Sequence, residues 1–152
     1  MIKKILLAIS TLAVAVCVWG CYTKVSQTAT FELATGDNVE VKLDTAGGYD
    51  LALDESAARF SVTKDGETVL RGYFCDADAW HEYYEAAETA ELIEKTDNKV
   101  VWGYEDADST EYNTATLLSD KSAVVTNGVV SDTNAKDQIL DAASKLEFTL
   151  EK

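Results

Sequence analysis

Apolar and polar residues alternate with a period of two over most of the chain, as expected for β-strands that bury one face. The clearest case is the run in which Val39, Val41 and Leu43 alternate with charged residues. A similar run around Phe31 precedes it, and residues 35–38 supply the Gly, Asp and Asn typical of a tight turn. The pattern therefore predicts a β-hairpin over about residues 29–43.

Further alternating segments predict the rest of a sheet. The run at 67–74 carries apolar residues on both faces, which predicts a central strand covered on both sides. The other strands are predicted at 49–53, 60–62, 100–104, 112–118 and 122–126, with a short last strand around Phe148 and Leu150.

A helical pattern replaces the alternation from about Asp76 to Ala90, where alanine and aromatic residues recur on one arc and acids on the opposite arc. Acids then recur at every third position as far as Glu94. Acids near a helix C-terminus oppose its dipole. We therefore expect the helix to end or loosen over 90–94, with Leu92 and Ile93 packing from an irregular turn.

A second helix is predicted from about Thr133 to Leu146, with Asp132 or Thr133 as its N-cap. Antiparallel hairpins with segregated helices are typical of the α+β class. We predict a single domain at 29–152, built on an antiparallel sheet of about six or seven strands with two helices packed on it.

This order of elements resembles the PsbP-like α/β/α sandwich over roughly residues 31–150. That family occurs in bacterial envelope lipoproteins and in photosynthetic accessory proteins. The resemblance rests on element order and alternation, and it implies a binding or accessory role rather than an enzyme.

The first residues have the pattern of an export signal. Lys3 and Lys4 precede an apolar run that extends from Ile5 to Trp19. We predict a signal peptide at 1–20 and a short tether at 21–28, so that the domain works outside the cytoplasm. An uncleaved anchor stays possible, because the run nearly reaches the length of about 20 residues that spans a bilayer.

The end of the leader resembles a bacterial lipobox, with apolar Val18 and small Gly20 before Cys21. Trp19 departs from the small residue usual at its position. The resemblance implies that Cys21 receives a diacylglyceryl group and holds the protein on the extracytoplasmic face of the cell membrane. A lipid-modified form, an uncleaved anchor and a cleaved, released form are the three outcomes considered.

The net charge of the chain limits the classes of partner that it is expected to bind. The formal net charge is −14, and loss of Lys3 and Lys4 with the leader would make it two units more negative. Such a surface repels the phosphates of nucleic acids, so nucleic-acid binding is not expected. A cationic ligand, a glycan or an envelope protein is the expected partner. Without its leader the chain keeps only Cys75 beside the anchor, so the fold depends on its core and not on a disulfide.

Aromatic residues give the most specific binding hypothesis. Helix packing on the strand beginning at Val100 would bring rings close together, and aromatic walls with carboxylates at the rim suit sugars, cationic groups or peptides. The alternative is that the rings are core residues. The predicted binding residues are Trp80, Tyr84, Trp102 and Tyr104.

Two further groups could hold a metal ion. The acidic loop at 105–111 offers Asp106, Asp108 and Glu111 as oxygen ligands of the kind that calcium prefers, without the glycine and spacing of an EF-hand. His81 stands one turn from Glu85 and could bind a divalent metal with it. A solvated loop and an exposed histidine are the alternatives.

The sequence predicts an envelope-anchored, non-enzymatic binding or accessory module, with no cofactor and no assigned catalytic residue. The opposing hypothesis is an extracytoplasmic metal-dependent or acidic hydrolase that uses His81 and nearby carboxylates. A pocket that gathers His81 with carboxylates would favour the enzyme. A shallow aromatic surface would favour binding.

Overall fold

The computed structural model describes residues 10–16, 25–54 and 57–151. The strands are β1 Ser10–Val16, β2 Val25–Glu32, β3 Asn38–Asp44, β4 Tyr49–Asp54, β5 Arg59–Lys64, β6 Glu67–Asp76, β7 Glu91–Lys95, β8 Lys99–Glu105, β9 Thr110–Leu117, β10 Ser122–Val129 and β11 Leu146–Glu151. The helices are α1 Ala77–Ala86 and α2 Lys136–Ser144, and a 3₁₀ turn at Ala87–Thr89 follows α1. Within these residues no helix is both long and apolar enough to cross a bilayer.

The strands form two antiparallel sheets. The large sheet has seven strands in the order β4-β5-β6-β10-β9-β8-β7. In the small sheet β3 lies between β2 and β11, and β1 pairs along the other edge of β2. The predicted α+β class, with a seven-stranded antiparallel sheet and two helices, is confirmed. The predicted β2–β3 hairpin forms, but it belongs to the small sheet.

The large sheet is the middle layer of the fold. Its inner face packs against the small sheet and α2, and its outer face packs against α1. Strand β10 shows the division, because Val124 belongs to the inner core while Ala123 and Val125 belong to the outer one. On β6, Leu70 and Phe74 are buried in the inner core, while Tyr73 and Cys75 are partly buried against the outer one, so the strand is central but its outer face is only partly covered.

Four phenylalanine rings join the two sheets. Phe31 and Phe148 come from the small sheet, and Phe60 and Phe74 come from the large sheet. The ring centroids of Phe31 and Phe74 lie 5.0 Å apart, and those of Phe60 and Phe148 lie 6.0 Å apart. Gly72 lies opposite Phe60 on the neighbouring strand, and a Cβ atom there would overlap the Phe60 ring. The ring therefore occupies space that only glycine leaves open.

Hydrogen bonds between two turns add a polar connection between the sheets. The Ser119 hydroxyl, after β9, donates to the Asp37 carboxylate in the β2–β3 turn at 2.6 Å. The hydroxyls of Thr35 and Ser122 lie 2.5 Å apart in the same contact. Hydrogen bonds from Ser119 and Ser122 hold the pKa of Asp37 below its ordinary value.

The first helix is shorter than the sequence predicts. Asp76 caps α1 by accepting the backbone N–H of Ala79 at 2.8 Å, and the helix ends at Ala86. The irregular turn expected over 90–94 is wrong, because β7 pairs there with β8. Leu92 and Ile93 do not pack inside; they are 45% and 39% exposed. The edge of β8 offers hydrogen bonds that a helix end crowded with acids lacks.

The start of the second helix also differs from the prediction. It begins at Lys136 after Ala135, which provides no side-chain cap. Asp132 and Thr133 are therefore not its caps. Asn134 instead lies buried and donates from its amide to the carbonyls of Val69 and Val129, both at 2.9 Å. These bonds fix the segment before the helix against the large sheet.

The predicted leader and tether are described in part. Strand β2 begins at Val25, so the last four residues of the expected tether belong to a strand. Ser10–Val16 of the expected signal peptide forms β1, which pairs antiparallel with β2. Cys21 and the other lipobox residues lie outside the described part of the chain.

Substitution Gly72→Ala should destabilise the protein by about 1–3 kcal/mol, because the added methyl overlaps the Phe60 ring. Chemical denaturation followed by circular dichroism measures the loss. Phe60→Leu should recover part of it in the double variant, because the smaller side chain leaves room. Full additivity of the two losses would contradict the contact.

Candidate functional site

Helix α1 places its aromatic residues inward over the large sheet. Trp80 is 3% exposed and Trp102 is 7% exposed, so both belong to the packing between α1 and the outer face. Their neighbours in this second core are Ala87, Val100, Ala115, Ala123 and Val125. The two tryptophans predicted to bind a ligand therefore present little surface to one.

Two of the four predicted rings contact each other, and a third stacks on Tyr83. The rings of Trp80 and Tyr84 have centroids 4.7 Å apart, and those of Tyr83 and Trp102 lie 6.0 Å apart in a stacked arrangement. Tyr84 is partly buried, and its hydroxyl donates to the carbonyl of Thr96 at 3.1 Å. Tyr104 is separate from these pairs and 52% exposed, so it is the predicted ring most open to a ligand.

Hydroxyl and thiol groups beneath α1 are shielded from water. The hydroxyls of Tyr73 and Tyr83 lie 2.7 Å apart. Burial, followed by this hydrogen bond, raises the pKa of Tyr73. Burial also raises the pKa of Cys75 to about 12, with a smaller contribution from the charge of Asp76. Cys75 is therefore a protonated thiol at neutral pH and a poor nucleophile.

Two of the predicted calcium ligands, Asp106 and Glu111, accept hydrogen bonds from different groups. Asp106 accepts the backbone N–H groups of Asp108 and Ser109, each at 2.9 Å, and these bonds lower its pKa. Glu111 lies on β9 and accepts from Asn127 instead. Over residues 10–16, 25–54 and 57–151, no three His, Cys, Asp or Glu side chains are grouped closely enough to hold a metal ion.

His81 lies on the exposed side of α1. Its ring meets the edge of Trp80 with centroids 5.0 Å apart. Neither of the two best-formed hollows in the described residues is lined by His81.

Part of the outer face of the large sheet lies beyond α1 and carries polar side chains. We name it the open sheet face. On β5 and β6 it presents Arg59, Ser61 and Arg71, which alternate with inward residues such as Phe60. On the neighbouring strands it continues through Asn127, Asn113, Glu111 and Tyr104.

The centre of this face is held by hydrogen bonds. The amide nitrogen of Asn127 donates to Glu111 Oε2 and to Asn113 Oδ1, both at 2.8 Å. Both acceptors lie on β9, so the side-chain amide oxygen of Asn127 is left to accept a hydrogen bond from a group on the β6 side. Arg71 lies on β6. It stands directly across from Asn127 of β10 on one side and from Ser61 of β5 on the other.

A hollow of about 340 Å³ lies at one end of the open sheet face. Its lining is Gly66, Glu67, Thr68, Val69, Leu70, Arg71, Asn127, Val129 and Asn134. A second hollow, of about 330 Å³, lies on the inner side between Thr114 and Thr126 of the large sheet and Phe148 of the small sheet. Small-molecule sites begin at about 300 Å³, so both are large enough for a small polar group.

Sequence reasoning missed the open sheet face as a site. The signal was present, because Arg71 occupies an outward position in a strand expected to be covered on both faces. Recognising it required the position of α1, which leaves this part of the strand uncovered.

Comparisons with known protein families, with curated proteins and with solved structures find no match for this chain. The lipobox and the PsbP-like relationship therefore stay predictions.

Stability should fall as the pH rises between about 9 and about 12. The pKa of Cys75 rises from 9.0 to about 12 on folding, and burial with the Asp141 hydrogen bond raises that of Tyr49 from 10.0 to about 12. The unfolded chain ionises first, so this stabilisation is complete below about pH 9 and is lost toward pH 12. Urea midpoints measured across this range test it.

The matched variant for this prediction is Cys75→Ala, which should show a shallower fall, most clearly near about pH 9, where the tyrosines are still mostly protonated in both states. An identical fall in both proteins would show that the Cys75 thiol is not protected by folding.

Proposed function

We propose that this protein is a membrane-anchored, extracytoplasmic and non-enzymatic binding or accessory module that binds through its open sheet face. The observation that carries the proposal is the polar centre of that face. Asn127, Asn113 and Glu111 are held in one arrangement on adjacent strands, while Arg71 beside them is exposed. A preorganised surface loses little conformational entropy when a ligand binds.

The position of the predicted anchor is compatible with this role. Cys21 precedes Val25, the first residue of β2, by four positions. A fully extended connection of that length spans at most about 14 Å. Lipidation would therefore hold the sheets close to the membrane surface, and a diacyl group supplies the two chains that stable anchoring needs.

The alternative of a hydrolase has weaker support. His81 lies on the exposed side of α1, and Glu85 and Asp78 are exposed on the same helix. A catalytic site is expected where a pocket gathers such groups and excludes water. The hollow of the open sheet face is lined by Arg71 and Asn127 instead.

Intact mass spectrometry of membrane-extracted protein tests the anchor. We expect a chain that begins at Cys21 and carries an acyl adduct. Cys21→Ser should abolish the adduct and leave the leader uncleaved, whereas Cys17→Ser is the matched control and should be processed normally. An unmodified full-length chain in the soluble fraction would contradict the proposal.

A thermal-shift assay on the same sample distinguishes the binding module from the hydrolase. Glycans, basic peptides, calcium and zinc are the added ligands. A ligand that binds only the folded state raises the melting temperature, and the rise grows with the ratio of the free ligand concentration to its Kd. A shift that Asn127→Ala removes and His81→Ala leaves intact supports the open sheet face. A zinc shift lost in His81→Ala would support the hydrolase.

A further inference from the structure

Arg71 is a cation without an anionic partner. The ion pairs of the described residues all use lysines: Lys42, Lys95, Lys99, Lys136 and Lys145. The chain has only two arginines, Arg59 and Arg71, and neither side chain forms an ion pair or a hydrogen bond within this part of the structure. In so acidic a protein, an exposed and unpaired guanidinium is available for an anion from outside.

The surroundings of the two arginines differ. Arg59 lies opposite Asp54, whose carboxylate shares its side of the sheet. Arg71 lies between Ser61 and Asn127, which are both neutral. Glu67 lines the hollow together with Arg71, and Glu111 lies two strands away on β9, where it already accepts the Asn127 amide. Arg71 is therefore the better site for a carboxylate, which a guanidinium can bind through two parallel hydrogen bonds.

The polar groups beside Arg71 determine which hydrogen-bonding groups the ligand must carry besides its anion. The Asn127 carbonyl and the Glu111 carboxylate accept hydrogen bonds, while Ser61 and Thr68 carry hydroxyls, which both donate and accept. A hydroxyl-rich ligand satisfies such a mixture. Phosphate and a run of acidic side chains offer few donors for each negative charge, whereas every ring of an acidic glycan carries several hydroxyls beside its carboxylate.

Tyr104 adds a flat apolar surface on the same face. Tyr104 lies on β8, opposite Glu111 of β9 and three strands away from Arg71. Three strand spacings correspond to about 14 Å. An extended ligand could therefore place an anionic group on Arg71 and the C–H face of a sugar ring on Tyr104, whose exposure leaves the aromatic ring open.

We propose that the open sheet face binds an acidic glycan, with a uronic-acid carboxylate on Arg71, hydroxyls on Asn127 and Glu111, and a sugar ring on Tyr104. This inference rests on the proposed binding function and names its ligand class. The glycan lies across the strands from the hollow beside Arg71 toward β8. Acids that lie more than about 8 Å from the ligand weaken this binding little, since salt at physiological ionic strength screens exposed charges beyond that distance.

Isothermal titration of the full-length, detergent-extracted protein with trigalacturonic acid tests the inference. Arg71→Gln should raise the Kd about tenfold or more, because a charged hydrogen bond is lost. Arg59→Gln is the matched control and should change the Kd less than about threefold, because Asp54 opposes that charge. Tyr104→Ala should weaken binding about threefold or more, and neutral galactotriose should bind about tenfold more weakly than the acid.

A second readout separates binding at this face from a change in folding. The side-chain amide resonances of Asn127 should shift on addition of trigalacturonic acid to the native protein. They should not shift in Arg71→Gln, whose urea midpoint should equal that of the native protein.

Three results would overturn the inference: equal binding of the neutral trisaccharide, an unchanged Kd in Arg71→Gln, or equally tight binding of phosphate or a hexaglutamate peptide. If trigalacturonic acid fails while another ligand gives a thermal shift that Asn127→Ala removes, the glycan is wrong and the proposed binding function stands. If no ligand gives such a shift, both fail.

Discussion

Contact between the phenylalanine rings of the two sheets is the interaction on which the other layers depend. Phe31 and Phe148 extend from the small sheet toward Phe60 and Phe74 of the large one, and the chain has no other phenylalanines. Large aromatic side chains contribute most to burial in a small core. Because Gly72 leaves room for the Phe60 ring, the backbone of the central strand and the ring position are coupled. The polar bond between Ser119 and Asp37 closes one end of the same interface.

This arrangement gives the two faces of the large sheet different roles. The inner face is occupied by the small sheet and α2, so its side chains are committed to the core. Among the described residues, the outer face receives α1, which is ten residues long and packs on β6, β9 and β10, and the short 3₁₀ turn after it. Part of a wide sheet is left uncovered, and there Arg71 and Asn127 face solvent from rigid strands. Binding groups on strands are held more firmly than groups on loops. The proposed function thus follows from the mismatch between a seven-stranded sheet and a short helix.

The fold class could be predicted because it depends on local alternation, which Val39 to Leu43 shows plainly. The second sheet could not, because alternation does not say which strands pair. The strand at Glu91–Lys95 was missed since its sequence is rich in helix formers, and its pairing with β8 is a tertiary effect. The sequence could suggest that Trp80 and Tyr84 lie close together, but the burial of Trp80 and Trp102 depends on how α1 packs on the sheet. Arg71 as a candidate site required knowledge of which surface that helix leaves free.

A double-mutant cycle between Phe31 and Phe74 tests the central contact most directly, with leucine at either or both positions and the free energy of unfolding as the measured quantity. The rings come from different sheets, so a coupling can arise only if the sheets pack as described. We expect a coupling energy of about 0.5–1.5 kcal/mol. Losses that add to within about 0.3 kcal/mol would mean that the two rings do not touch, and the layered arrangement would have to be abandoned.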